Sequence, residues 1–417
     1  MTKTRKALCA SGAFAFVLAA VILFLHLFGG LRVQAKELSK PYKSEIAPPQ
    51  SYTDAFKTSA ADFSFALYRA AASQNGENTL LSPLSALYVL GMLSMGAEGE
   101  TLAQIEQAVG MDKETLAMSL AALELALEGT KSGGIHLENS IWVRDTFQNS
   151  VKSSFLQQNA DYYGAQIYAA AFDESTVRDV NRWVEHYTDG LIDKILESAP
   201  DSLSVMYLIN TLALDFKWDT AYKKSNITSL SFTSASGEAQ TVTGLASDES
   251  LYLEMQGAQG VAKPYKNGDF YFVALLPEEG VAPEALLSSL NGETWGALWE
   301  GKHNESVDVT MPEFAYDREM ELNKALAQMG ISDLFDSQKA NLSALSDSPL
   351  YCSLVKQKTV IDVSREGTKA AAVTMAAVKC MSAAPGRTLV FNRPFAYAVV
   401  DAQSGLPLFL GTVNSVK

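Results

Sequence analysis

The stretch "EGTKAAAVTMAAVKCMSAAPGR", residues 366–387, lies close to the C-terminal end of a 417-residue chain. It is a run of small side chains set between two strongly patterned segments, "TVIDVS" at 359–364 and "FAYAVVDAQSGLPLFLGTV" at 395–413. Taken alone it reads equally as an alanine-rich helix, since alanine is the best helix former. Read as a strand, its residues fall alternately on two faces. The even positions are Thr368, Ala370, Ala372, Thr374, Ala376 and Val378, all small. The odd positions carry Lys369, Val373, Met375 and Lys379, so both lysines share one face. A strand of this kind can enter a packed sheet without overfilling it. Gly367 supplies backbone freedom at its start. No proline occurs between 367 and 384, so every backbone N–H is available to a ladder.

Working outward, the first half of the chain is helical by period. "TDAFKTSAADFSFALYRAAA" at 53–72 places Phe56, Phe63, Leu67 and Ala71 near one face. "SPLSALYVLGMLSMGAEGETLAQIEQAVG" at 82–110 starts on Ser-Pro, breaks at Gly96 and Gly99 and resumes as helix. "VRDVNRWVEHYTDGLIDKIL" at 177–196 reads as an amphipathic helix pair split by Gly190. Strands follow. "SVMYLINTLALDF", "FYFVALLPEE", "SVDVTMPEFAY" and "TVIDVS" are β-branched or aromatic and bounded by turn residues. The last segment, 395–413, contains Asp401-Ala402-Gln403-Ser404-Gly405, a Gly-containing hairpin turn. Helices first and strands later indicate an α+β fold with antiparallel or mixed sheets.

The composition, 47% hydrophobic and 10% aromatic, supports a large core. With 33 basic against 47 acidic residues the net charge is −14, which argues against nucleic acid and anionic membrane surfaces as partners. The N-terminus reads as an export signal. Lys3, Arg5 and Lys6 precede an apolar run at 13–28, and Val33-Gln34-Ala35 offers a cleavage site, so residues 1–35 are assigned as signal peptide. The alternative is an uncleaved membrane anchor, for which about 20 apolar residues are usual. Either way the bulk of the chain is expected outside the cytoplasm. Residues 36–51, polar and proline-containing, read as a linker, and 52–417 as one domain. Beyond Cys9 only Cys352 and Cys380 remain, either as free thiols or as one bridge. The four histidines have no close Cys or His partners, so no metal or other cofactor is expected. No G-x-S-x-G, H-E-x-x-H or Walker sequence is present, and no enzyme activity is expected. Trp183 and Trp218 sit in apolar contexts and are assigned to the core.

Several stretches together resemble the serpin family, in order and over nearly the whole chain after residue 51. They are "NTLLSPLSALYVLGMLSMGAEGETLAQI", "LENSIWV", "YYGAQIYAAAF", "VNRWVEHYTDGLIDKIL", "INTLALDFKWDTAY", "VDVTMPEFAYDREMELNKALAQMGISDLF", "VSREGTKAAAVT" and "FNRPFAYAVVDAQSGLPLFLGTV". The resemblance implies three β-sheets, eight or nine helices and an exposed reactive-centre loop. It implies an exported, monomeric inhibitor that serine proteases attack as a substrate. The cut loop then inserts into the central sheet and carries the covalently bound protease with it. About 14 residues at roughly 3.3 Å each would move the protease about 45 Å.

By family spacing the reactive bond joins Met381 to Ser382. Methionine there suits elastase-like, chymotrypsin-like or subtilisin-like enzymes, whereas Lys379 or Arg387 would attract trypsin-like ones. The hinge is Arg365, Glu366, Gly367, Thr368, Lys369, Ala370, Ala371, Ala372, Val373 and Thr374. The residues around the opening sheet are Ser82, Ser85, Asn210, Trp218, Glu313 and Gln357. Gln357 stands where the family usually has histidine, which predicts insertion nearly independent of pH between about 5 and 8. Arg365 and Glu313 have exchanged signs relative to the family pattern, which predicts an ion pair between them. Two alternatives share the fold: a non-inhibitory binding protein and an inhibitor of papain-like cysteine proteases.

Overall fold

The structure is a computed structural model and describes residues 33–72, 76–130, 134–368 and 386–416. Its start is a short strand, β1 (Lys36–Glu37). Helix α1 (Asp54–Ala71) follows, capped by the Thr53 hydroxyl accepting from the Phe56 amide, with Phe56, Phe63 and Leu67 buried as their spacing predicts. After β2 (Thr79–Leu81) comes α2 (Pro83–Ser94), opened by Ser82 and Pro83 and buried on every side. α3 (Gly99–Val109) ends on Gly110 at φ +75°, and α4 (Lys113–Glu128) is capped by Asp112.

The chain then alternates through β3 (Ile135–Arg144), α5 (Ser153–Tyr163), β4 (Gln166–Ala170) and α6 (Glu174–Tyr187). Next come β5 (Met206–Leu214), β6 (Phe216–Lys217), β7 (Ile227–Thr233), β8 (Ala239–Met255), β9 (Ala258–Pro264) and β10 (Phe270–Pro277). Two short helices, α7 (Pro283–Ser289) and α8 (Gly292–Glu300), lead to β11 (His303–Pro312), β12 (Phe314–Glu321), α9 (Asn323–Gln328) and β13 (Leu354–Val363). The chain closes with β14 (Gly367–Thr368), β15 (Arg387–Val390), β16 (Phe395–Asp401) and β17 (Pro407–Val413).

The first sheet runs β1-β4-β3-β5-β13-β14-β6, with β12 also on β13. The second runs β15-β11-β8-β9-β10-β16-β17-β2, with β7 on β8. The 17-residue β8 pairs with β7, β11 and β9 in turn, so the expected second and third sheets are hydrogen-bonded into one. The main core joins both sheets to α1 and α2, and a smaller core around Trp142 and Trp183 lies under α6.

Two expectations are corrected. Only the first half of the helix pair at 177–196 forms. Beyond Gly190 the chain is irregular, because the Asn181 carboxamide accepts from the Ile195 and Leu196 amides and donates to the Leu196 carbonyl. Those bonds replace a helical ladder and still bury Ile192, Ile195 and Leu196. The polar run 36–51 is also not a free linker at its start. Lys36 pairs with Ala169 and Glu37 with Tyr168, extending the sheet edge. Just before them, the Gln34 and Ala35 amides donate to the buried Asp179 carboxylate at 2.7 and 2.8 Å.

Candidate functional site: an unpaired seam and the strand that starts to fill it

The central pair of the first sheet is only partly zipped. β13 runs parallel to β5 with Leu354, Val355 and Lys356 opposite Tyr207, Leu208 and Ile209. Above that point, among the described residues, the two strands have no ladder between them. At the other end β14 occupies the gap. Gly367 and Thr368 pair with Lys217 and Phe216 of β6, and Thr368 also pairs with Val363 of β13. The second and third residues of the opening stretch are therefore already a strand inside the sheet.

Thr368 faces the core, as its even position predicts. It is 3% exposed, and its Oγ1 lies 2.5 Å from the Tyr265 hydroxyl. Gly367 is glycine for a different reason than backbone freedom. Its φ is not in the left-handed region, but an added Cβ would sit 2.0 Å from the Phe216 carbonyl oxygen. Space, not torsion, excludes any side chain there.

Beneath the open seam lies a chain of polar side chains, each 4% exposed or less. The Ser82 amide donates to Gln357 Oε1 and Gln357 Nε2 donates to the Ser82 carbonyl, both at 2.8 Å. The Ser82 hydroxyl caps α2 by accepting from the Ser85 amide at 3.2 Å. The Ser85 hydroxyl donates to Asn210 Oδ1, and Asn210 Nδ2 donates to Asn139 Oδ1 at 2.5 Å. β13, α2, β5 and β3 are thus joined by side chains next to the point where the β5–β13 ladder stops. Ser82, Ser85, Asn210 and Gln357 come together as expected. Asn139 was missed, although "LENSIWV" shows a lone polar residue among inward-facing Leu137, Ile141 and Val143.

Trp218 closes the top of the seam. Its indole N–H donates to the Ser364 carbonyl at 2.8 Å and its amide to the Glu366 carbonyl at 3.1 Å. Its ring stacks on Tyr265 at 4.6 Å, with 4° between the planes. The expected ion pair between Arg365 and Glu313 does not form. Arg365 and Glu366 lie in the bend between β13 and β14, where the Arg365 carbonyl accepts from the Tyr222 amide. That turns the Arg365 side chain to solvent, where its nearest partner is Glu366 at 3.8 Å. Glu313 sits at the β11–β12 junction, its amide donating to the Thr243 carbonyl.

Arg387, a competing cleavage position, is held in β15. Its Nε is 3.0 Å from Glu305 and its guanidinium lies 4.2 Å from the Tyr252 ring centre. Its backbone is paired to Val307 of β11. Met381, Ser382 and the hinge positions Lys369, Ala370, Ala371, Ala372, Val373 and Thr374 lie outside the described residues, as does Cys380.

The family model described as "Serpin (serine protease inhibitor)" matches residues 58–416. Glia-derived nexin of Rattus norvegicus is 26% identical over 358 residues, covering 82% of this chain and 88% of its own length. Leukocyte elastase inhibitor of Bos taurus is 28% identical over 355 residues, covering 81% of this chain and 93% of its own. Among solved structures, the native state of the thermophilic serpin tengpin superposes with a TM-score of 0.86 at 38% identity, covering 92% of this chain and all of tengpin. With this breadth of match added to the seam and its half-seated strand, the chain belongs to the serpin family of serine protease inhibitors.

Proposed function

We propose that this serpin is a secreted, monomeric suicide-substrate inhibitor, cut between Met381 and Ser382 by an elastase-like, chymotrypsin-like or subtilisin-like serine protease. The protease serine attacks the Met381 carbonyl. An ester forms to Met381 as the peptide bond breaks, and the Ser382 amine leaves with a proton donated by the protease's own acid–base residue. The freed loop then continues the strand begun by Gly367 and Thr368, zipping the seam between β5 and β13 before water reaches the ester. The observation that carries this reading is the seating of Gly367–Thr368 at the mouth of an unladdered seam. The small even-numbered residues that follow suit the same burial.

Pancreatic elastase mixed with the protein should give a covalent complex that survives a denaturing gel, together with a released peptide beginning at Ser382. Complete loop cleavage with the elastase still active would place the protein among non-inhibitory members of the fold. A peptide with another first residue would move the reactive bond.

A further inference from the structure

Behind the hinge, a buried ion pair has no counterpart in the site described so far. Lys263 Nζ lies 2.6 Å from Glu249 Oε1, and the two side chains are 4% and 5% exposed. The same ammonium faces two aromatic rings, Tyr222 at 4.6 Å and Trp218 at 5.4 Å from the ring centres. Those two residues supply the amides and the indole that hold the carbonyls of Ser364, Arg365 and Glu366. Trp218 also stacks on Tyr265, whose hydroxyl meets Thr368. A continuous set of contacts therefore runs from one buried cation to the two seated residues of the hinge.

A buried ion pair is a poor source of stability, because desolvation offsets most of the attraction. An apolar pair of the same volume would pack here as well. What the cation adds is direction: its attraction to the ring faces orients Trp218 and Tyr222 together.

We infer that Lys263, neutralised by Glu249, is a positioning residue for loop insertion, clamping Trp218 and Tyr222 so that Gly367–Thr368 stay seated at the seam. This rests on the insertion mechanism proposed above, so its test has one arm that needs no protease. The double variant Glu249→Leu with Lys263→Met removes both charges at similar volume and leaves no orphaned ion. In the intact protein, hydrogen exchange at the amides of residues 366–368 should quicken at least tenfold, while the thermal midpoint stays level or rises. With elastase, the molecules consumed per protease trapped should rise at least threefold. Lys263→Arg, which keeps the cation, should retain slow exchange.

Unchanged exchange in the double variant overturns the inference. Slow exchange lost equally in Lys263→Arg also overturns it, since volume and not charge would then matter. Should the double variant fail to fold, Tyr222→Leu removes one ring while sparing the pair, and its exchange at 366–368 decides in the same way. If the wild type traps no elastase, the inhibitory function fails, yet the exchange arm still judges the clamp.

Discussion

Thr368→Arg is the sharpest test of the seam. Thr368 is 3% exposed, with its hydroxyl against that of Tyr265, and among the described residues no carboxylate is hydrogen-bonded to it. An arginine held there would orphan the Tyr265 hydroxyl, at about 1–3 kcal/mol. It would also bury an unpaired charge, for which about 3–5 kcal/mol is the scale. Withdrawing the hinge is cheaper, since it buries no charge and gives up neutral hydrogen bonds of Gly367 and Thr368, at about 1 kcal/mol each. The intact variant should therefore fold with its hinge outside the sheet. After cleavage the charge must still pass into the seam. A barrier raised by about 3 kcal/mol slows insertion about 100-fold. Ester hydrolysis on the protease is unchanged, so the variant should be consumed mainly as substrate. Titrating elastase activity against added protein, with a denaturing gel, reads the partition. The neighbouring Lys369 supplies the natural contrast, a charge tolerated on the opposite parity. Trapping by Thr368→Arg at wild-type stoichiometry would refute the inward assignment and the insertion path with it.

Three further outcomes are expected. Glu124 on α4 and Glu138 on β3 are raised to about 8 and about 7, chiefly by burial and then by neighbouring carboxylates, Glu128 among them. Because the folded chain holds these protons and the unfolded chain releases them, their stabilisation is complete below the ordinary carboxylate range and is lost as pH rises through 7 and 8. Urea unfolding should show a loss on the order of 2 kcal/mol between pH 5.5 and 8.5, and a flat profile would count against it. Glu124→Gln should remove most of that slope. Asn210→Ala leaves the Ser85 hydroxyl and the Asn139 carbonyl oxygen unpaired beneath the seam, which should lower urea stability by about 1–3 kcal/mol; no change would mean that water replaces the carboxamide. The Cys352 thiol is 1% exposed and pushed up to about 12 by burial, so it should resist a disulfide reagent at pH 8 until the chain is unfolded. Modification of the folded protein at Cys352 would show that this core opens.

What the sequence determined by itself is what depends on near neighbours. The caps of α1 and α2, the buried faces of the helices, the strands of the second half and the inward parity of Thr368 all follow from side chains a few positions apart. Tertiary structure decided what depends on register between distant strands. Ser82 meets Gln357 across 275 positions, and Asn210 meets Asn139 across 71, and only the packed sheet selects those partners. Arg365 lost its expected partner because the bend after β13 points its carbonyl, not its side chain, at the core. Gly367 is glycine because the carbonyl of Phe216, 151 positions earlier, comes too close for a Cβ once β6 lies alongside. The segment past Gly190 is not helical, and the Asn181 carboxamide takes the Ile195 and Leu196 amides instead of a helical ladder. A local period specifies which way a side chain faces. What it then meets is settled by the approach of chain that no short window of sequence contains.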